Sequence, residues 1–180
     1  LSTGGFLLEI SKNYKLKKPL IIYNNFSNLL KETIVNYKNL IILNENSELN
    51  LINYINNSSR ENFMVNTVEN IKMKKNSSLN NILINNSKCN GYFYKYIKCD
   101  LEKNSSLENY LISSGFKFNK LDIEINLNEE YSKSSVFSAL NLMNNEHQEI
   151  KTRINHNAPH CHSYQKVKNV LNNESKGIYQ

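Results

Sequence analysis

A polar seven-residue segment recurs along this chain at a nearly constant interval. Leu43-Asn44-Glu45-Asn46-Ser47-Glu48-Leu49 returns as Met73-Lys74-Lys75-Asn76-Ser77-Ser78-Leu79 and as Leu101-Glu102-Lys103-Asn104-Ser105-Ser106-Leu107. A weaker copy is Leu127-Asn128-Glu129-Glu130-Tyr131-Ser132-Lys133. The leading apolar residues lie 30, 28 and 26 residues apart. Self-similarity at such a period marks a solenoid or another repeat architecture, in which each unit buries its apolar face against its neighbours. A chain of 180 residues holds one domain with a substantial core, so residues 1–180 read as one domain of stacked repeats.

Each unit has the same plan. An alternating segment such as Val68-Glu69-Asn70-Ile71-Lys72-Met73 comes first. A polar Asn/Ser/Lys corner follows, where side chains bond their own backbone and tolerate turn geometry. A second apolar strand then begins, as in Leu79 to Ile84 and Leu107 to Ile112. Leu121-Asp122-Ile123-Glu124-Ile125-Asn126-Leu127 alternates strictly, as a half-buried strand does. Helical spacing is scarce; its best instance is a peripheral helix over Phe26 to Tyr37, with Ser27 as N-cap. The expectation is an all-β chain whose units stack as a parallel β-helix, with a sandwich or barrel as the alternative. Asn-rich corners suit such stacking, because each amide can bond the amide of the next rung.

Asparagine makes up roughly a fifth of the chain, and only Arg60 and Arg153 are arginine, a bias that an AT-rich coding sequence would produce. The net charge of +6 invites a nucleic-acid reading. The lysines are spread along the chain, however, with Lys15, Lys17 and Lys18 the tightest group, and arginine, the usual phosphate fork, is scarce. Neither nucleic acid nor membrane is an expected partner. Cys89, Cys99 and Cys161 form an odd set without framework spacing, which favours a reducing compartment over a disulfide scaffold. No basic region followed by an apolar core opens the chain, and no apolar run reaches membrane-spanning length; a cytoplasmic location is expected. The first residue is Leu1 and the last are strand-like, Gly177-Ile178-Tyr179-Gln180, as in a piece of a longer polypeptide incomplete at its C-terminus.

The densest chemistry lies in His156-Asn157-Ala158-Pro159-His160-Cys161-His162. Imidazole and thiolate are common ligands of zinc and iron, so His156, His160 and Cys161, with His162 beside them, are candidate metal ligands. On a strand, His160 and His162 face one way and Cys161 the other, and the spacing matches no closed zinc motif. Turn and strand residues packing at a coil edge are the plainer reading. Cys161 activated by imidazole as a nucleophile is a weaker alternative, with no Gly-rich turn to offer an oxyanion hole. Asp122 and Glu124 share one strand face, as a glycosidase pair might on a solenoid, although solvated charge explains them as well. No phosphate-binding loop occurs, so no catalytic residue or bound cofactor is assigned.

His156-Asn157-Ala158-Pro159-His160-Cys161-His162-Ser163 resembles the H-x-x-P-H-C-x-S signature of the SufB/SufD family, scaffold proteins of SUF iron–sulfur cluster assembly. Pro159-His160-Cys161-x-Ser163 is closer to the SufD branch than to SufB, which usually carries Thr there. The resemblance extends to Ser2-Thr3-Gly4-Gly5-Phe6-Leu7-Leu8-Glu9-Ile10, to Leu16-Lys17-Lys18-Pro19-Leu20-Ile21-Ile22, and to Asn66-Thr67-Val68-Glu69-Asn70-Ile71. His147-Gln148-Glu149 and Thr152-Arg153-Ile154-Asn155-His156 resemble the stretch leading into the signature. The resemblance implies a right-handed parallel β-helix core and a scaffold role, not an enzyme. It implies SufB and the SufC ATPase as partners, and no stably held cofactor. A transient iron–sulfur cluster at the SufB–SufD interface is part of the same implication. The family's later Cys/His motif and its SufC-binding helices have no counterpart within the 180 residues.

Overall fold

Parallel strands account for the regular structure of this computed structural model, which describes residues 2, 4–27, 29–57, 59 and 61–180. Among the described residues there are eleven strands and no helix, hence none long and apolar enough to cross a membrane. The strands are β1 (Leu7–Ile10), β2 (Leu20–Phe26), β3 (Thr33–Leu43), β4 (Glu48–Asn57), β5 (Phe63–Met73) and β6 (Ser78–Leu101). They continue with β7 (Ser106–Leu127), β8 (Lys133–Leu142), β9 (His147–His156), β10 (His162–Leu171) and β11 (Lys176–Tyr179). Two parallel ladders arise. The first stacks β1, β3, β5, the C-terminal halves of β6 and β7, then β9 and β11. The second stacks β2, β4, the N-terminal halves of β6 and β7, then β8 and β10. Each coil runs along one ladder, turns a tight corner, runs along the other and returns. The result is a β-solenoid of about six turns.

The corner is where the sequence repeat does its structural work. Asn46, Asn76 and Asn104 carry φ of 57°, 59° and 57°, a left-handed conformation that asparagine tolerates better than most residues. The serine that follows turns inward: Ser47, Ser77 and Ser105 each donate from Oγ to the carbonyl three residues back, at 2.6 Å. Between coils the corner amides bond one another. Asn46 Nδ2 donates to Asn13 Oδ1 (2.9 Å), Asn76 to Asn46 (2.9 Å) and Asn104 to Asn76 (3.1 Å). The asparagine content that composition attributes to codon bias is therefore also a structural resource.

Register turns the repeat's leading apolar residues into one buried column. Leu43 stands opposite Met73, Met73 opposite Leu101, and Leu101 opposite Leu127. Leu49, Leu79 and Leu107 face them from the second ladder, and all are buried. Burying one such side chain contributes about 1.5–3 kcal/mol. Deeper in the lumen a polar layer follows: Asn53 Nδ2 donates to Asn81 Oδ1 (3.2 Å) and Asn81 to Asn109 (3.0 Å). That ladder ends where Val136 takes the next position, leaving Asn109 Nδ2 without a partner. At the far end lies an aromatic cluster of Phe26, Phe63, Phe93 and Phe116 with Val65. Rings here pack edge to face, Phe26 on Phe93 at 5.4 Å and Phe63 on Phe93 at 5.8 Å. A Cβ on Gly91 would sit 2.7 Å from the Phe63 ring and 3.0 Å from that of Phe93, so a larger residue there would have to displace the cluster.

Two details differ from the sequence reading or refine it. The helix expected over Phe26 to Tyr37 is absent. Instead β2 ends at Phe26, a turn closes with the Leu30 amide donating to the Ser27 carbonyl (3.1 Å), and β3 begins at Thr33. Thr33-Ile34-Val35 is β-branched, and the whole of β3 pairs with β5; ladder bonding outweighs a weak helical periodicity. Ser27 accepts from the Leu29 amide at 3.4 Å, a turn contact and not a helix cap. The fall in repeat spacing from 28 to 26 residues comes from two register shifts, between Asn86 and Cys89 and between Cys89 and Tyr92.

The corner geometry predicts distinct outcomes for two substitutions. Asn76→Ala removes both ladder bonds and places a Cβ residue with no local hydrogen bond at positive φ, with an expected loss of about 1–3 kcal/mol. Asn76→Gly loses the same bonds without the backbone strain and is expected to be the milder change. Urea unfolding of the two variants measures the difference.

Candidate functional site

The His–Cys signature forms the corner of the sixth coil. His156 ends β9 and His162 begins β10, directly opposite Leu127 and Lys133 of the coil before. The corner positions therefore align one to one: His160 occupies the place of Tyr131, and Cys161 that of Ser132. His160 has φ of 60° and Tyr131 of 63°, the left-handed slot that asparagine holds in earlier coils. Their rings stack with centroids 5.0 Å apart and planes 9° apart, replacing the amide ladder with an aromatic one. Cys161 takes the inward serine slot. Its Sγ lies 3.2 Å from Ser132 Oγ and donates to the Glu129 carbonyl at 3.3 Å, while its side chain packs on the main apolar core.

The three candidate ligands are held apart by these separate partners. His156 Nε2 pairs with Ser163 Oγ at 2.9 Å, His160 lies flat on Tyr131, and Cys161 turns inward. Among the described residues no three His, Cys, Asp or Glu side chains gather as a metal-holding group. The arrangement does not fit a preformed metal centre. The thiol is engaged by the Ser132 hydroxyl and the Glu129 carbonyl instead of by an imidazole that could activate it. The other two cysteines are packing residues: Cys99 is fully buried in the apolar core, and Cys89 packs at the register shift against the aromatic cluster. Burial pushes the Cys89 thiol up to about 12 and raises that of Cys99 as well.

Asp122 and Glu124 face outward on β7, each tied to a tyrosine of β6. Tyr94 donates to Asp122 Oδ2 at 2.8 Å and Tyr96 to Glu124 Oε2 at 2.9 Å. The bond from Tyr96, then that from Asn126, hold the Glu124 carboxyl below its ordinary range. A carboxyl so held is a poor proton donor, which weighs against a general acid in a glycosidase pair. Asp122 stands opposite Lys151 and Glu124 opposite Arg153, as members of a charged sheet face.

A polar feature that the sequence reading missed lies in the lumen. Glu69 is fully buried; Lys95 Nζ sits 3.0 Å from its Oε1, and Asn39 donates to its Oε2 at 3.4 Å. Beside the pair is a cavity of about 280 Å³, lined in part by Tyr37, Asn85, Phe93 and Asn119. The signal was phase: Glu69 shares the inward parity of Ile71 and Met73 in β5.

If the signature is a corner, His160→Asn combined with Cys161→Ser rebuilds the Asn-Ser corner of the earlier coils. The double variant is expected to unfold within about 1 kcal/mol of the parent. A calorimetric scan showing loss of the folded transition would refute the alignment. A second expectation concerns alkaline pH. Cys89 has a folded-state value above its ordinary 9.0, so its contribution is complete below pH 9 and is lost as pH rises toward 12. Unfolding free energies across that window should fall more steeply for the parent than for Cys89→Ala.

Comparison with known proteins gives this architecture its context. No curated protein and no solved structure matches the chain. The family model described as SUF system FeS cluster assembly, SufBD core domain, matches residues 25–180, which spans the solenoid from the end of β2 onward and includes the sixth-coil corner. The chain belongs to the SufBD core-domain family of the SUF iron–sulfur cluster assembly system.

Proposed function

We propose that this chain acts as a SufD-type scaffold subunit in cytoplasmic iron–sulfur cluster assembly, with the paralogue SufB and the ATPase SufC as its partners. The observation that carries the proposal is the family match over residues 25–180, on a solenoid whose sixth-coil corner bears the Pro159-His160-Cys161-x-Ser163 wording. A scaffold role accords with the side-chain geometry. Thiols are buried or hydrogen-bonded, the acid pair is tied to tyrosines, and the signature residues serve the corner. The cluster is cargo in this reading. His156, His160 and Cys161 would touch it only transiently, and only if the corner opens, because each is engaged elsewhere.

Co-expression of the chain with SufB and SufC tests the proposal. Recovery of a stoichiometric ternary complex by affinity purification on the chain, with ATP hydrolysis confined to preparations containing SufC, is the expected result. A chain that separates cleanly from both proteins, and leaves cluster build-up on SufB unchanged, would sink it.

A further inference from the structure

The lumen changes character along the rod. On the first ladder, Asn39, Glu69, Ile97 and Ile123 share one inward column, and Tyr37, Thr67, Lys95, Leu121 and Ile150 share the next. Both columns are polar through the early coils and aliphatic afterwards. The fold therefore accepts an aliphatic side chain at these positions, and an aliphatic lumen throughout would avoid the cost of burying polar groups. The polar stretch borders the cavity of about 280 Å³ beside Glu69. Three groups in its wall, Asn85, Glu69 and Lys95, have hydrogen-bonding capacity to spare. Asn85 is 2 % exposed, and its Oδ1 has no partner. Glu69 Oε1 faces the Lys95 ammonium at 3.0 Å yet accepts no hydrogen bond. Lys95 carries three N–H donors and, among the described residues, has Glu69 as its one ion-pair partner. Leu83, Phe93 and Leu121 supply buried apolar wall. The exposed members of the lining, Gly5, Tyr23 and Asn25, place the mouth at the first coil.

We propose that this cavity binds a small neutral α-amino acid in its zwitterionic form. The charges of the wall select it. A simple cation at Glu69 would meet the Lys95 ammonium, and a simple anion at Lys95 would meet the Glu69 carboxylate. Either would add a net charge to a largely enclosed site, which low-dielectric surroundings penalise heavily. A ligand carrying both poles adds none. Its ammonium donates to Glu69 Oε1 and Asn85 Oδ1, two acceptors that receive no hydrogen bond within the protein. Its carboxylate accepts from the remaining N–H groups of Lys95. These are charge-assisted bonds, about twice as strong as the neutral ones a polyol would make in the same place. Volume sets the size of the ligand. The cavity falls just below the range of about 300–1,000 Å³ typical of pockets for drug-sized ligands, which suits a single amino acid and excludes a peptide or a nucleotide. The apolar wall favours a short aliphatic side chain over one that brings a third charge. Binding here is independent of the proposed scaffold role, and its absence would leave that reading standing.

Isothermal titration calorimetry of the full chain with L-alanine tests the proposal. Propionate and ethylamine serve as probes that each carry one pole, and L-aspartate as one with an added charge. Saturable binding of alanine with a Kd of about 1 mM or tighter is expected, and each of the other probes should bind at least about tenfold more weakly. Two kinds of variant, checked by circular dichroism melts, locate the site. Asn85→Leu removes an acceptor without leaving an unpaired charge, and Glu69→Gln combined with Lys95→Met removes both charges together. Each is expected to weaken alanine at least about tenfold. The absence of saturable heat up to about 50 mM alanine would overturn the proposal and leave water as the occupant of the cavity. Propionate or ethylamine binding as tightly as alanine would overturn it as well, and so would an alanine affinity unchanged in the folded variants. The probe series on the parent chain decides the matter even where a variant fails to fold.

Discussion

Because each coil hydrogen-bonds in register to the coils on either side, every residue meets the same position of its neighbours about 4.8 Å away. That constraint governs which side chains the chain can use. An apolar residue on an apolar residue is favourable, as in the Leu43–Met73–Leu101–Leu127 column. An amide on an amide is favourable too, since one Nδ2 donates while one Oδ1 accepts, so an asparagine column satisfies itself indefinitely. A charge on a like charge is not, and several charged positions avoid it by alternating sign, although Lys75 and Lys103 share one corner position. Lys74 bonds Glu102 at 2.7 Å, Lys103 meets Glu130 at 3.3 Å, and Lys120 meets Glu149 at 3.3 Å. Each such exposed pair is worth at most about 1 kcal/mol; its larger effect is to avoid the repulsion that stacking identical lysines would bring.

The same constraint explains what could be read from the residues alone. A unit that must stack on itself leaves its period in the sequence, and the Asn-Ser corner is the most legible part of that period. Left-handed backbone favours asparagine or glycine, and the turn carbonyl favours a donor such as Ser77. The signature at His156 to Ser163 was harder to read, because its residue types suggest metal chemistry while its positions are those of a corner. Only register shows that His160 follows Tyr131 and Cys161 follows Ser132. The helix expected near Phe26 failed for the complementary reason. Local periodicity carries no information about the long-range pairing of β3 with β5, which decides the matter.

The lumen is not uniformly apolar, and its layers have different energetic weights. The leucine column near the corners supplies hydrophobic burial, and the phenylalanine cluster does so at the opposite end. Between them Glu69 is fully buried against Lys95. Desolvating such a pair can consume most of its attraction, so it adds little net stability, whereas losing one partner leaves a buried charge at a penalty of several kcal/mol. Its value is therefore positional. Glu69 of β5 and Lys95 of β6 lie on adjacent coils and meet only in the observed register, so a slipped coil would leave both charges buried and unpaired.

A solenoid of this kind separates the demands of folding from those of chemistry. The corner asks only for a residue that accepts positive φ and a neighbour that satisfies the turn from inside. Within those limits the residue types can change from coil to coil, as they do from Asn104 to Tyr131 to His160. Each change exchanges one form of stacking for another: the hydrogen bond of 3.1 Å from the Asn104 amide to that of Asn76 gives way to the ring stack of Tyr131 on His160. An imidazole can thus be set on the outside of a corner with a thiol turned inward beside it. The spacing of such groups comes from the ladders, and their identity comes from the corners.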